Sequence, residues 1–158
     1  MEIEISIADQ TLVLHEDSGE SRTYAVSTAA NGPGEANGSG GTPRGRLVIR
    51  ALIGAGMPAG AVFKGRRFTG EIYTPELGTE NPERDWILSR ILWLSGCEPG
   101  FNRLGSVDTM RRFIYIHGTP DTEPMGVAAS HGCIRMRNAD VIDLFERVAP
   151  GCPVTIRE

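Results

Sequence analysis

Ile3, Ile5 and Ile7 alternate with Glu2, Glu4 and Ser6, the period of two that sends alternate side chains to one face of a β-strand. After Ala8-Asp9-Gln10 comes the run TLVLH, Thr11 to His15, so the chain is predicted to open with a hairpin of two short strands. A third strand, Thr23 to Ser27, follows the Asp17-Ser18-Gly19 turn. Strand character resumes in RLVIRAL, Arg46 to Leu52, and a glycine- and proline-bearing patch from Gly54 to Gly60 separates it from a short segment around Val62 and Phe63. WILSRILWL, Trp86 to Leu94, is apolar on both faces, as a central strand is, with a short helix as the competing reading. RRFIYIH, Arg111 to His117, alternates and ends on His117, which the pattern puts at the mouth of a strand. From Asn138 to Val148 the period changes: Val141, Ile142, Leu144, Phe145 and Val148 form one helical stripe, with Asn138 as N-cap and Asp140 in the first turn. Pro150 and Gly151 stop that helix, and PVTI closes the chain as a strand.

Two stretches carry no such pattern. NGPGEANGSGGTP, Asn31 to Pro43, lacks large apolar side chains, and TPELGTENPERD, Thr74 to Asp85, is polar with two prolines; both read as exposed loops. The expected fold class is therefore mainly β with few helices, a β-sheet or β-sandwich domain with one well-defined helix near its end. Length agrees, because 158 residues suit one domain over residues 1–158 with a core of its own. The 20 glycines and 10 prolines also belong to a turn-rich chain rather than a helical bundle.

The formal charge of −4 argues against nucleic acid or an anionic membrane as partner, since both select basic surfaces. The sequence opens MEIEISIADQ, with no basic n-region and no apolar run of signal-peptide length. Three cysteines, Cys97, Cys133 and Cys152, cannot all pair with one another, which suits a reducing compartment. The expected location is the cytoplasm, or the periplasm for a chain whose leader has been removed.

The chemistry concentrates in SHGCIRM, Ser130 to Met136. A thiol becomes a nucleophile when a base favours thiolate, and the acyl-transfer intermediate needs backbone N–H groups aimed at its oxyanion. Gly132 lets the backbone turn tightly beside Cys133, while His131 precedes it and His117 lies upstream across a loop-like stretch with Pro120, Pro124 and Gly126. Three readings stay open on spacing alone: a buried core cysteine, a zinc site made by His117, His131 and Cys133, and Cys/His catalysis. No C-x2-C or H-x3-H pair accompanies these residues, as zinc sites commonly show.

IHGTP, then SHGCIRM, then a helix and a final G-x-P-V-x-I strand resemble the catalytic domain of the L,D-transpeptidase family, also called the YkuD domain. His117, twelve residues, then Ser130-His131-Gly132-Cys133 match that family's signature. The likeness extends upstream through QTLVL, YAVSTA and TPRGRLVI, with its T-P-x-G turn at Thr42 to Gly45. The resemblance implies Cys133 as nucleophile on the carbonyl between a diamino acid and the terminal D-alanine of a peptidoglycan stem tetrapeptide. It implies His117 as base, oriented by the carbonyl of Gly118, an oxyanion hole lined by His131, Gly132 and Cys133, and Ser130 bracing the turn. Arg135 stands where some members carry Asn, and is expected either to hold a substrate carboxylate or to lie solvated on the surface. No metal or organic cofactor is implied, and the implied partners are stem peptides or muropeptides. Cys97 and Cys152 read as structural, and Tyr73, Arg84, Trp86, Trp93 and Arg111 as candidate cleft residues. With a cytoplasmic location, the expected activity is an L,D-carboxypeptidase of wall recycling; a periplasmic transpeptidase and a catalytically silent wall-peptide-binding module are the alternatives. Acylation of Cys133 by carbapenems is a further expectation.

Overall fold

The computed structural model describes residues 1–158. Its ten strands are β1 (Glu2–Ser6), β2 (Thr11–His15), β3 (Ser21–Ala25), β4 (Gly45–Ile53), β5 (Ala61–Lys64), β6 (Arg67–Ile72), β7 (Ile87–Gly96), β8 (Tyr115–Thr119), β9 (Ile134–Arg137) and β10 (Pro153–Arg157). Two α-helices, α1 (Pro75–Glu80) and α2 (Asn138–Arg147), complete it with a short 3-10 helix at Gly105–Val107. All ten strands join one mixed sheet ordered β3-β2-β1-β10-β4-β7-β5-β6, with β8 added to β7 and β9 to β8. No helix is long and apolar enough to cross a membrane.

β7 is the axis of the sheet. Leu92 pairs with Leu52 of β4 on one side and Ile116 of β8 on the other, and Leu88 pairs with Val62 of β5 and with Gly118 of β8. A strand with partners on both edges and both faces covered is apolar on both faces rather than alternating; its residues 88–92 are all buried, the polar Ser89 and Arg90 among them where the register with β8 shifts. The sheet curls until its ends meet: Ser27, just past β3, exchanges two backbone hydrogen bonds of 2.9 Å with Arg135 of β9. The core inside the curl is built from alternate residues of β1, β2 and β10, including Ile3, Ile5, Leu12, Leu14, Val154 and Ile156, and α2 fills it with Val141, Leu144 and Phe145.

Several elements depart from the sequence expectation. Thr74 to Asp85 is not wholly a loop, because Thr74 Oγ1 accepts from Leu77 N at 3.1 Å and starts α1. That helix buries no residue, so no hydrophobic stripe announced it. The strand expected over Arg111 to His117 begins only at Tyr115 and continues to Thr119. Phe113, at φ 56°, breaks the extended run, since a left-handed residue cannot sit in a ladder. His117 therefore lies in the middle of a strand, not at its end. Asn138 does not cap α2; Arg137 takes the cap position. The Asn138 side chain instead accepts from Ser89 Oγ at 2.6 Å and donates to the Thr119 carbonyl at 3.0 Å.

Candidate active site

β8 and β9 run parallel with Ile116 opposite Ile134 and His117 opposite Arg135. This register brings Cys133, the residue before β9, beside the start of β8. Tyr115 N donates to Cys133 Sγ at 3.3 Å, and the thiol donates to the Phe113 carbonyl at 3.4 Å. His117, two residues along from Tyr115, shares its face of the strand. The two groups line one open cleft of about 500 Å³, together with Ser130, His131, Arg135, Arg66, Arg112 and Phe113.

A bulge in β7 sits opposite His117. The β7–β8 register shifts between Leu88 and Ile91, with Ser89 buried at φ 70°; bulges of this kind re-aim side chains beside functional sites. The bulge also explains Gly118. A Cβ there would lie 2.6 Å from the Leu88 carbonyl oxygen and 2.5 Å from Asn138 Oδ1, so a close backbone approach demands glycine. The carbonyl of Gly118 lies 2.7 Å from His117 Nδ1. Because a carbonyl only accepts, Nδ1 carries the imidazole proton and Nε2 is left as the basic nitrogen.

The turn before β9 is tied from three directions. Ser130 Oγ donates to the Cys133 carbonyl at 2.6 Å and accepts from Gly132 N at 3.2 Å. Thr42, fully buried, donates through Oγ1 to the Gly132 carbonyl at 2.9 Å and accepts from Ala29 N at 3.0 Å. Gly132 takes φ +137°, which side-chain-bearing residues rarely adopt. The amides of His131 and Cys133 donate to no protein acceptor, and the Gly132 amide reaches only the long Ser130 contact. Backbone N–H groups left unpaired beside a thiol are the donors an oxyanion requires.

Burial governs the charge state of both groups. It pushes the Cys133 thiol up to about 12, against a smaller opposing effect of the Tyr115 amide. It pushes His117 below the ordinary imidazole range, opposed in part by its bond to Gly118. Both shifts favour the neutral forms, thiol and imidazole, over an ion pair.

Arg135 is not solvated. It is 8% exposed, donates to the Ala129 carbonyl at 3.3 Å and pairs with Asp85 Oδ1 at 3.2 Å. The side chain of His131 points outward, largely exposed, with Nδ1 3.9 Å from the same carboxylate, so this residue offers the turn its amide and not its ring. His117, His131 and Cys133 do not form a metal-type cluster; no group of three His, Cys, Asp or Glu side chains is arranged to hold an ion. Asp85, Arg66 and Arg112 were not singled out by sequence. Arg112 donates to the carbonyls of Gly34 and Gly41 at 2.9 and 2.6 Å, fastening the glycine-rich Asn31 to Pro43 loop to the cleft. Arg66 stacks between Trp93 and Phe113, at 4.6 and 4.8 Å from the ring centres, and donates to the Tyr115 hydroxyl at 3.0 Å. Charged residues in turns resemble any solvated surface in a sequence, so no local signal marked them. Of the five candidate cleft residues, none lines the Cys133 cleft. Tyr73, Arg84 and Trp86 stack on one another nearby, Trp93 stacks behind Tyr115, and Arg111 faces a second cleft. Cys152 is buried, but Cys97 is exposed, against its expected structural role.

The sequence model of the L,D-transpeptidase catalytic domain, YkuD, matches residues 1–156. The chain belongs to this family. It is 54% identical over 41 residues to the putative L,D-transpeptidase YkuD of Bacillus subtilis strain 168, a match covering 26% of this chain and 25% of that protein. Among solved structures it is similar to the L,D-transpeptidase LdtMt1 in complex with imipenem, with TM-score 0.58 and 19% identity, covering 98% of this chain and 57% of that one. L,D-transpeptidase 3 from Mycobacterium tuberculosis, in complex with a faropenem-derived adduct, gives TM-score 0.57 at 17% identity, covering 99% and 59%. At these identities the structural likeness establishes the curled mixed sheet as this family's catalytic fold. The chain spans less than two thirds of the length of the relatives it matches.

Proposed function

We propose that this L,D-transpeptidase family member is a cysteine acyltransferase that cleaves the bond between a diamino acid and the terminal D-alanine of a peptidoglycan stem tetrapeptide. The observation that carries the reading is the convergence, in one open cleft, of the Cys133 thiol, an imidazole whose Nε2 is the basic nitrogen, and a turn whose amides lack protein acceptors. With thiol and imidazole both neutral, proton transfer accompanies attack. Cys133 Sγ bonds to the substrate carbonyl carbon while its proton passes to His117 Nε2, and the carbonyl oxygen gathers negative charge facing the amides of the 131–133 turn. Collapse breaks the C–N bond, and His117 returns the proton to the departing D-alanine amine, leaving a thioester on Cys133. Water, or an acceptor amine, then attacks that thioester with His117 taking its proton, and the thiol is regenerated. Arg135, paired with Asp85 and lining the cleft, is the group we assign to the terminal carboxylate of the donor.

An open cleft admits water to the thioester, so hydrolysis to tripeptide is the outcome where no amine is supplied, the activity a cytoplasmic recycling enzyme requires. The names of the relatives favour the second reading, resolution by an amine to form a cross-link. Incubating the purified chain with tetrapeptide, with and without an acceptor amine, and following products by mass spectrometry separates the two. Tripeptide alone marks a carboxypeptidase; dimer as the dominant product marks a transpeptidase. No D-alanine release from folded protein whose Cys133 resists alkylation overturns the acyl-transfer reading in favour of a silent binding module.

A further inference from the structure

A second cleft of about 480 Å³ lies between β4, the end of β7 and the turns on either side of the 3-10 helix. Three guanidiniums line it, those of Arg50, Arg103 and Arg111. All three residues are exposed and none takes part in an ion pair, whereas six of the other arginines do. In a chain of net charge −4 three arginines facing one carboxylate, Asp108, leave the cleft with an excess of positive charge, the footprint of an anionic ligand. The one carboxylate in the cleft, Asp108, is buried and has both oxygens committed, accepting from Leu104 N at 2.6 Å and Arg111 N at 2.9 Å. Those bonds hold the turn that carries Arg111, and Trp93 Nε1 donates to the Met110 carbonyl at 3.2 Å from behind it.

The cleft adjoins the one that holds Cys133. Met110 and Arg111 line the second cleft, and the next two residues, Arg112 and Phe113, line the first. A smaller cleft between them shares Asp108 and Arg111 with the second cleft and Arg112 with the first. Phe113 itself presents its carbonyl to the Cys133 thiol. A ligand bound at Cys133 thus has a short, positively charged path to the second cleft.

The geometry points to a basic track that leaves the Cys133 cleft at Arg112, crosses Arg111 and enters the second cleft at Arg103 and Arg50, where it binds carboxylates of an extended anionic acyl donor remote from the carbonyl attacked. The identity of the donor as a stem peptide rests on the proposed function; the anionic preference of the track rests on the three guanidiniums. Remote binding of this kind anchors a flexible peptide so that its reacting carbonyl is presented to the thiol.

The test measures binding of a fluorescently labelled stem tetrapeptide to the full chain carrying Cys133→Ala, so that no turnover intervenes. The peptide is used with its carboxylates free and with the carboxylates away from the terminal D-alanine amidated, against protein with the arginines intact and with Arg103→Ala and Arg111→Ala together. Both arginines are exposed, and thermal melting of the double variant verifies its fold. The free-carboxylate form is expected to bind about three- to tenfold more tightly than the amidated form, as exposed charge pairs allow. That gap is expected to close in the double variant and to shrink with added salt. An equal gap in both backgrounds, no gap in either, or stronger competition from a phosphodiester polymer than from the free-carboxylate peptide overturns the track as a carboxylate site. Loss of the gap in the double variant, with no cleavage of tetrapeptide by protein retaining Cys133, leaves the track standing and removes the proposed function.

Discussion

Thr42→Val isolates the contribution of the upstream T-P-x-G turn to the Cys133 site. The side chains are nearly the same shape, so the change removes one hydroxyl and little volume. That hydroxyl makes two buried hydrogen bonds, to the Gly132 carbonyl and from Ala29 N, and Thr42 is 0% exposed, so no water replaces it. Leaving a buried donor and a buried acceptor unpaired costs about 1–3 kcal/mol each, which gives roughly 2–4 kcal/mol after partial relaxation. For a domain of this size each kcal/mol lowers Tm by about 2–4 °C, so a fall of about 4–16 °C is expected by calorimetry. Thr42→Ser keeps the hydroxyl and loses one buried methyl, at about 1 kcal/mol, and serves as the control. The site responds as well as the fold. With the Gly132 carbonyl released, the 131–133 turn loses one of its ties, and acylation of Cys133 by a carbapenem is expected to slow by about tenfold or more, because misaimed oxyanion donors are costly. Wild-type stability and acylation rate in Thr42→Val refute the inference that this hydroxyl holds the turn.

Cys133→Ala is expected to abolish both peptide turnover and the carbapenem adduct, read by intact-protein mass spectrometry; retained turnover removes the thiol from the mechanism. Gly118→Ala drives a Cβ into the Leu88 carbonyl 2.6 Å away and is expected to lower stability by about 2 kcal/mol or more, as backbone must shift; urea unfolding measures it, and a neutral effect shows that the bulge yields. Because burial holds His117 below the ordinary imidazole range, the acid limb of kcat/KM for His117 as the proposed base is expected below about pH 6.5; a midpoint at pH 7 or above contradicts the buried neutral imidazole. The same shift links to stability. The folded state binds fewer protons than the unfolded below about pH 6.5, so the stability present above that value is lost as pH falls toward the folded pKa of His117, and His117→Asn is expected to flatten that part of the Tm profile.

How much of this was legible in the sequence depended on whether a residue's role was local. The alternation in β1 and β2, the doubly apolar β7 and the stripe of α2 each follow from burial imposed on a regular element, and they were readable. β8 was expected to start four residues and to end two residues before it does, because RRFIYIH alternates throughout, yet Phe113 leaves the extended region and accepts from the Cys133 thiol. Asn138 looked like a cap and serves instead as a tertiary tie between Ser89 and Thr119. In each case a local preference yields to a contact made far away in sequence, and both contacts lie within the neighbourhood of His117.

The same logic bears on what holds the site together. His117 sits on β8 and Cys133 immediately precedes β9, which pairs with β8 in parallel, so the ladder brings them close, but orienting them takes residues from elsewhere. Gly118, packed closely against the β7 bulge, aims the imidazole through its carbonyl, and the bulge is tied through Ser89 and Asn138 to α2. The 131–133 turn is aimed by Thr42, and the loop that ends at Thr42 is fastened by Arg112, whose neighbour Phe113 meets the thiol. Thus the glycine-rich loop, which reads in sequence as a flexible connection, is part of the rigid frame of the turn. A loop free to gate the cleft would break the Arg112 hydrogen bonds and release Gly132 with each opening, whereas a fixed loop keeps the unpaired amides of the turn preorganised for the oxyanion of the proposed reaction. The composition of that loop therefore serves close backbone packing, and the expected consequence is slow hydrogen exchange at the amides of Gly34 and Thr42, which pair with each other's strand of the loop.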